Sequence, residues 1–425
     1  MCCCGLVACL LFAGPNAPAQ EAARPGGWSL DDCIKAALQN QTDVLTAQNN
    51  VIIARSRSAR AVSDYFPQLS VQNNAFRVGS GKGVLTQTTT GTALNVSQNV
   101  FDGGVREVNA LGARYGIKQN QAGLTRTVQM VVFNVTKAYY EVLRARHLAG
   151  VAETNVTYNE GLRKQIEAQV QVGKSAPADV LPVEAQLANA RVSLLFAQNA
   201  VRTAAIDLQS AMGVSPQPGF DVQEVESATE AEIATLDSYS TLALKLRPDI
   251  AQSQAGLGAA RASTRSARLN LYPRPVISGD YQRQISGGFT TSSTQMVGSI
   301  IFDLFNGNAN RAAYNEARAS QANVELQQKQ VYKDIDLQVE EAYLNLTNAK
   351  ERAAASKVSL DAAQKNYDAQ RERYSQGLGT TLDMLNAEVQ AITAQSNDVQ
   401  ARYDYHIALA QMNYATGKQG ATNEK

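Results

Sequence analysis

Cysteine is nearly missing from the body of this 425-residue chain: Cys2, Cys3, Cys4 and Cys9 crowd the start, and only Cys33 follows. A single thiol builds no disulfide framework, so Cys33 reads as a small packing residue on a helix. Histidine is scarcer: His147 and His406 stand alone, without metal-ligand spacing, and read as helix-surface residues. Net charge is only +1, which argues against a nucleic-acid partner. No apolar run reaches the ~18 residues of a transmembrane helix. A nucleophile elbow is missing. Gly173-Lys174-Ser175 fails as a phosphate loop, because Ala168 stands where the first glycine belongs and no strand precedes it. The chain therefore reads as a non-enzyme without a cofactor, and any energy it uses must come from partners.

The first residues read as an export signal. Gly5 to Gly14 are largely apolar, and Ala17-Pro18-Ala19 fits a cleavage site that removes residues 1–19. No Lys or Arg precedes Arg24, so the basic stretch of a signal is absent from the written start. Leu6-Val7-Ala8-Cys9 resembles a lipoprotein box, so lipidation at Cys9 is the alternative to simple cleavage.

What the chain does have is alanine, glutamine and a stretch that occurs twice. Gly173, Asp179, Leu181, Glu184 and Gln186 recur as Gly377, Asp383, Leu385, Glu388 and Gln390, 204 positions on. Each glycine ends a long helical pattern, turn residues follow, and each aspartate opens another helix. That is the punctuation of a helical hairpin tip, and two tips imply two structural repeats.

The first repeat spans 29–213. Ser29 caps a helix running to about Ser63, which Tyr65-Phe66-Pro67 stops. Residues 68–101 alternate apolar and polar around the loop Gly79-Ser80-Gly81-Lys82-Gly83, which predicts a β-hairpin. Such a pair suits a soluble hairpin, and also a strand pair with lipid on one face and water on the other. A proline-free helix then runs from about Gly104 to Val172, roughly 100 Å at 1.5 Å per residue. Within it Val128, Val131, Val135, Ala138, Val142, Ala145 and Ala149 form a coiled-coil seam at 3-4 spacing. The tip at 173–179 leads to a helix of about half that length ending at Gly213. Two half-length helices stacked end to end would match one long helix.

Residues 214–233 read as a linker. The second repeat, 234–417, has its hairpin at about 276–305, with Gly287-Gly288 in the loop, and its tip at 377–383. The seam recurs as Tyr332, Ile335, Val339, Ala342, Leu346, Ala349 and Ala353. Residues 418–425 read as a tail.

This order resembles the TolC-type outer-membrane efflux protein family over essentially the whole mature chain. Its most specific pieces are Phe101-Asp102-Gly103-Gly104 and the tip from Arg373-Tyr374-Ser375-Gln376-Gly377 to Asp383-Met384-Leu385-Asn386-Ala387. The resemblance implies a mainly α chain with a β-barrel: a homotrimer with a twelve-stranded barrel in outer-membrane lipid, continued by a periplasmic α-helical barrel. It implies a passive exit duct of a Gram-negative tripartite efflux or type I secretion system. A periplasmic adaptor protein and an inner-membrane transporter would open it. Independently, one chain offers four strands whereas a closed membrane barrel needs at least eight. Two chains fill their own bore, so a conduit wants three or more.

The resemblance also places residues. Gly173 and Gly377 match tip glycines that contact the adaptor, although a plain helix C-cap needs glycine too. Asp383 and Asn386 match the selectivity aspartates, the second without its charge. Tyr374 matches a closure tyrosine, while Gly379 stands where the family has a closure arginine. Thr380-Thr381-Leu382-Asp383 also reads as a helix capping box. Three-fold symmetry would gather Asp383 into a charged ring, and Asp179 at the other tip would add to it. Two rivals stand against the duct. A structural coiled-coil envelope protein needs no strands, and an adaptor has one helical hairpin with lipoyl-like motifs that this chain lacks.

Overall fold

The structure is a computed structural model that describes residues 27–78, 87–173, 175–224, 233–286 and 289–418. The export signal, the Cys9 lipidation box, the loops at Gly79–Gly83 and Gly287-Gly288, and the tail beyond 418 lie outside these residues. Among them, no helix is long and apolar enough to cross a membrane.

Among the described residues, eight α-helices and four strands appear in the order α1 (Leu30–Asn40), α2 (Thr42–Ser63), β1 (Gln68–Val78), β2 (Gln87–Phe101), α3 (Val105–Gln171), α4 (Val180–Ala211), α5 (Leu236–Leu246), α6 (Pro248–Leu269), β3 (Arg274–Ser286), β4 (Phe289–Ile301), α7 (Ala309–Ser375) and α8 (Thr381–Thr416), with one 3-10 turn at Pro177–Asp179 before α4. The strands form one antiparallel sheet in sequence order, β1-β2-β3-β4. Their 11 to 15 residues, at ~3.3 Å each, are long enough to cross ~30 Å of hydrocarbon while tilted. The pairing register sorts the two faces. Leu69 lies opposite Val96, Val96 opposite Tyr281, and Met296 and Ile300 share that face. Ser70, Asn95, Gln282 and Gln295 share the other. The apolar band gives way toward the loops, where Asn73, Thr92 and Arg283 sit on its face.

Below the sheet the helices form a single layer of four columns. α3 packs against α2 and α4 on one side and against α6 and α8 on the other; α7 packs beyond α6 and α8. Both long helices have 67 residues, whereas α2 has 22, α4 has 32, α6 has 22 and α8 has 36. The seam explains the packing: Val131, Val135, Val142 and Ala145 are buried, as are Ile335, Val339, Ala342, Leu346 and Ala349. Arg106 joins sheet to helices. Its guanidinium donates to the carbonyls of Asp64, Asn99 and Val100 and lies 4.0 Å from the Tyr65 ring. One side chain thus ties together the end of α2, the end of β2 and the start of α3.

The opening helix differs from expectation. Instead of one helix from Ser29 to Ser63, the chain breaks at Gln41, whose backbone is extended at φ −68° and ψ 123° and whose side chain caps Thr42. The cause is the arriving end of α4. A Cβ on Gly213 would sit 2.9 Å from the Asn40 carbonyl and from Gln41 Cα. So α4 does abut α2 end to end, and the backbone opens to admit it. The second repeat does the same: a Cβ on Gly417 would lie 3.0 Å from Leu246 and 3.1 Å from Arg247, at the α5–α6 break. There the break carries a sequence signal, Pro248, which disfavours helix at Arg247.

The linker straps the middle of α3. Trp28 and Val222 form an isolated parallel bridge, and Tyr139 Oη donates to the carbonyls of Trp28 and Gln223. Arg146 pairs with Asp221 at 2.7 Å.

Gly213 and Gly173 share a left-handed backbone, φ +72° and +73°, but only Gly213 is crowded. Gly173→Ala should cost ~1 kcal/mol, from conformation alone. Gly213→Ala should cost ~3 kcal/mol, because backbone must also move. Thermal melts of the two variants check this; equal losses would contradict the stacked-column geometry.

Candidate functional site

Both tips fold by the same local chemistry. In the first, α3 ends at Gln171, the Gly173 amide donates to the Val170 carbonyl at 3.0 Å, and the chain turns at φ +73°. Asp179 then gathers the turn: its Oδ2 accepts from Ser175 Oγ at 2.6 Å and from the Ala176 amide at 3.0 Å. In the second, Gly377 turns at φ +72°, and the Leu378 amide donates to the Arg373 carbonyl at 2.8 Å. That six-to-one bond is a Schellman closure of α7. Thr380 and Asp383 form a reciprocal capping box: the Asp383 amide donates to Thr380 Oγ1 at 3.1 Å, and Thr380 N–H donates back to Asp383 Oδ2 at 3.3 Å.

These bonds set the charge at the tips. The Thr380 hydroxyl, then its amide, hold the exposed Asp383 carboxyl below the usual range. The Ser175 hydroxyl does the same for Asp179, followed by the Ala176 amide. Both carboxylates therefore stay ionised through mildly acidic solution.

The expected site residues fall into separate groups. Asp383 and Asn386 are exposed on one side of α8, and Met384, Leu385, Ala387 and Glu388 are buried on the other. Asp179 is held within its own tip and shares no hydrogen bond with Asp383. Gly173 and Gly377 stand open: a Cβ on either would meet nothing within 4 Å. Tyr374 is half-buried against the apolar cluster of Leu162, Ile166, Val183, Met384 and Leu385. Its hydroxyl donates to Gln169 Oε1 on α3 at 3.2 Å. That bond joins the two hairpins, with Gln169 as the partner of Tyr374.

Spacing in the sequence does not single out Gln169, Asn159 or Glu388 as site residues. Asn159 lies on the α3 stripe that continues through Leu162 and Ile166, and Glu388 lies one turn beyond Met384 and Leu385. Polar residues on an apolar stripe are the available signal. The histidines are spoken for: His147 lies 2.8 Å from Glu224, and His406 stacks on Tyr140 at 5.1 Å, half-buried rather than on the helix surface. Among the described residues, no group of three His, Cys, Asp or Glu is placed to hold a metal.

Comparison with known proteins agrees with this architecture. The family model described as outer membrane efflux protein matches residues 33–214 and again 240–418. The chain is similar to the outer membrane efflux protein BepC of Brucella suis biovar 1, 23% identical over 399 residues, covering 92% of this chain and 86% of that one. It is similar to the protein CyaE of Bordetella pertussis, 26% identical over 356 residues, covering 81% and 75%. Among solved structures, the outer-membrane channel OprN superposes with a TM-score of 0.81 at 20% identity, covering 92% and 90%. The Campylobacter jejuni CmeC outer membrane channel gives 0.81 at 14% identity, covering 96% and 92%. With both of its repeats matched and its whole fold shared, the chain belongs to the outer membrane efflux protein family.

Proposed function

We propose that three copies of this chain close into one continuous passive duct from periplasm to exterior. The observation that carries this reading is that every layer of the chain ends in an open edge. Among the described residues, the sheet leaves β1 and β4 unpaired on their outer sides. The helical layer ends in α2 and α4 on one side and in α7 on the other. Large apolar side chains stand exposed on both flanks: Leu195 and Phe196 on α4, Leu326 and Val358 on α7. In lipid no backbone edge survives unpaired, so the sheet has to close with further copies. Three copies supply twelve strands, with the apolar face to lipid and the Ser, Asn and Gln face to a water-filled bore.

The same copies carry the helical layer into the periplasm as a tube narrowed at the tips. An inner-membrane transporter supplies the energy, and a periplasmic adaptor docks at the tips, where open Gly173 and Gly377 let backbone approach closely. Tyr374 restrains the tips until the adaptor engages. This reading is supported by relatives that are named as efflux and secretion components, such as the alkaline protease secretion protein AprF of Pseudomonas aeruginosa.

Native mass spectrometry of the detergent-extracted protein should give three times the mass of one mature chain. A species that stays monomeric would contradict the closed duct.

Asp383, repeated around the entrance, would make it cation-selective and open to block by multivalent cations, with Asn386 and Asp179 as polar neighbours. Asp383→Asn keeps the size and much of the capping but removes the charge. In planar bilayers cation preference and block should both weaken while the thermal midpoint barely moves. Unchanged selectivity with a lowered midpoint would make Asp383 a helix cap and nothing more.

A further inference from the structure

Glu388 is a buried carboxylate without a cation. It is 3% exposed, faces α3 from α8, and accepts one hydrogen bond, from Asn159 Nδ2 to Oε1 at 2.8 Å. Its Oε2 and the Asn159 Oδ1 have no partner. Asp398, the other buried acid of α8, is by contrast paired with Arg402 at 2.6 Å. The repeat does not share this feature: Glu184, the counterpart of Glu388, is exposed, and Ala363 stands where the second repeat would have Asn159.

Among the described residues, no cation pairs with Glu388. From α3, Tyr158 donates to Met384 Sδ at 3.7 Å; from α7, Tyr367 meets Tyr158 edge-on at 5.7 Å. Burial raises both phenols, so neither titrates near neutrality. Arg371 and Asp368 of α7 reach the tyrosines. On α3, Glu160 pairs with Arg191 of α4, and Arg163 lies 3.6 Å from Glu167 with its Nε making no hydrogen bond. On α8 itself, Asp383 is held by Thr380.

Glu388 also sits at a joint. α3 belongs to one hairpin, and α7 and α8 to the other. At tip height they are joined by the apolar cluster of Leu162, Ile166, Met384 and Leu385, by a second around Tyr367, Ala387 and Ala391 on which Tyr158 packs, and by the hydrogen bonds Tyr374–Gln169, Asn159–Glu388 and Tyr158–Met384. Separating the hairpins breaks the Asn159 bond and hands the carboxyl to water.

We propose that Glu388 couples packing of the tips to proton uptake, so that acid holds the two hairpins together and neutral pH releases them. The proposal rests on the duct reading. In the packed arrangement burial lifts the Glu388 carboxyl from its ordinary 4.5 to about 7, opposed only by the Asn159 bond. Released into water, it returns to the ordinary value. The packed state thus holds a proton that the released state gives up between pH 4.5 and about 7. Its advantage is complete below 4.5, declines through that window, and is gone above it. The full swing is on the order of a hundredfold in the packed-to-released ratio of each copy.

The test is single-channel recording of the assembled protein in planar bilayers from pH 4.5 to 8. The wild-type open fraction should rise at least tenfold over this range. Glu388→Gln, neutral at every pH, should stay at the low acid value throughout. Asn159→Leu fills the same space without a donor and should move the midpoint to higher pH. Asp383→Asn, run in parallel, should keep the wild-type slope and so separate this effect from titration at the entrance. A flat wild-type profile, a pH slope retained by Glu388→Gln, or an unmoved midpoint in Asn159→Leu would overturn the coupling. Protein that does not assemble into a membrane-inserted oligomer would overturn the duct reading, and this inference with it.

Discussion

The structure depends on one constraint: a β-sheet edge has no water to bond to inside a membrane. Among the described residues, four strands in sequence order leave two such edges. The helical columns follow the strands down, α2 and α3 below β1 and β2, α6 and α7 around β3 and β4. Arg106 fixes the hand-over by bonding to three carbonyls where sheet becomes helix. In the proposed assembly, the same neighbouring copies would complete both the open sheet and the open helical layer.

A single layer of helices has no globular core, and its stability comes from seams. Small seam residues such as Ala145, Ala342 and Ala349 let the columns approach closely. Stacking α4 onto α2 and α8 onto α6 tiles each broken column beside an unbroken 67-residue helix. The join is the weak point, and it is reinforced. In the second repeat Arg247, 4% exposed, bonds to Asp249, Gln338 and the Ala415 carbonyl. Arg126 of α3 reaches the same place, lying 3.8 Å from the Tyr414 ring. Burial and the neighbouring Arg247 both lower its pKa, and Asp249 restores part of it. At the tips two small apolar clusters and the hydrogen bonds Asn159–Glu388, Tyr374–Gln169 and Tyr158–Met384 hold the hairpins together.

The repeat is legible in the sequence because it is periodic. The 204-residue register, the glycine tips and the seam all follow from spacing, and the family resemblance follows from them. Contacts between repeats are not periodic, and spacing does not reveal them. Nothing in Asn40-Gln41 signals the helix break that Gly213 forces from a distance, although its counterpart Arg247-Pro248 does. Tyr374 is legible as a tip residue, but the partner of its hydroxyl, Gln169, lies 205 residues away in sequence. Glu388 and Glu184 occupy equal places in the motif and opposite environments in the fold. Asp383 reads both as a cap and as an entrance charge; its geometry is that of a cap, and an exposed cap still carries its charge.

Thiol labelling along both strands of the second β-hairpin in native outer-membrane vesicles tests the central claim most directly. Cys33 is fully buried and burial pushes its thiol up to about 12, so it leaves the background silent. Gln282→Cys and Gln295→Cys, on the polar face, should react with a membrane-impermeant charged thiol reagent. Tyr281→Cys and Met296→Cys, their immediate neighbours on the apolar face, should react only after detergent replaces lipid. Equal reactivity at neighbouring positions in intact vesicles would mean that the sheet does not divide lipid from water, and the duct would fall with it.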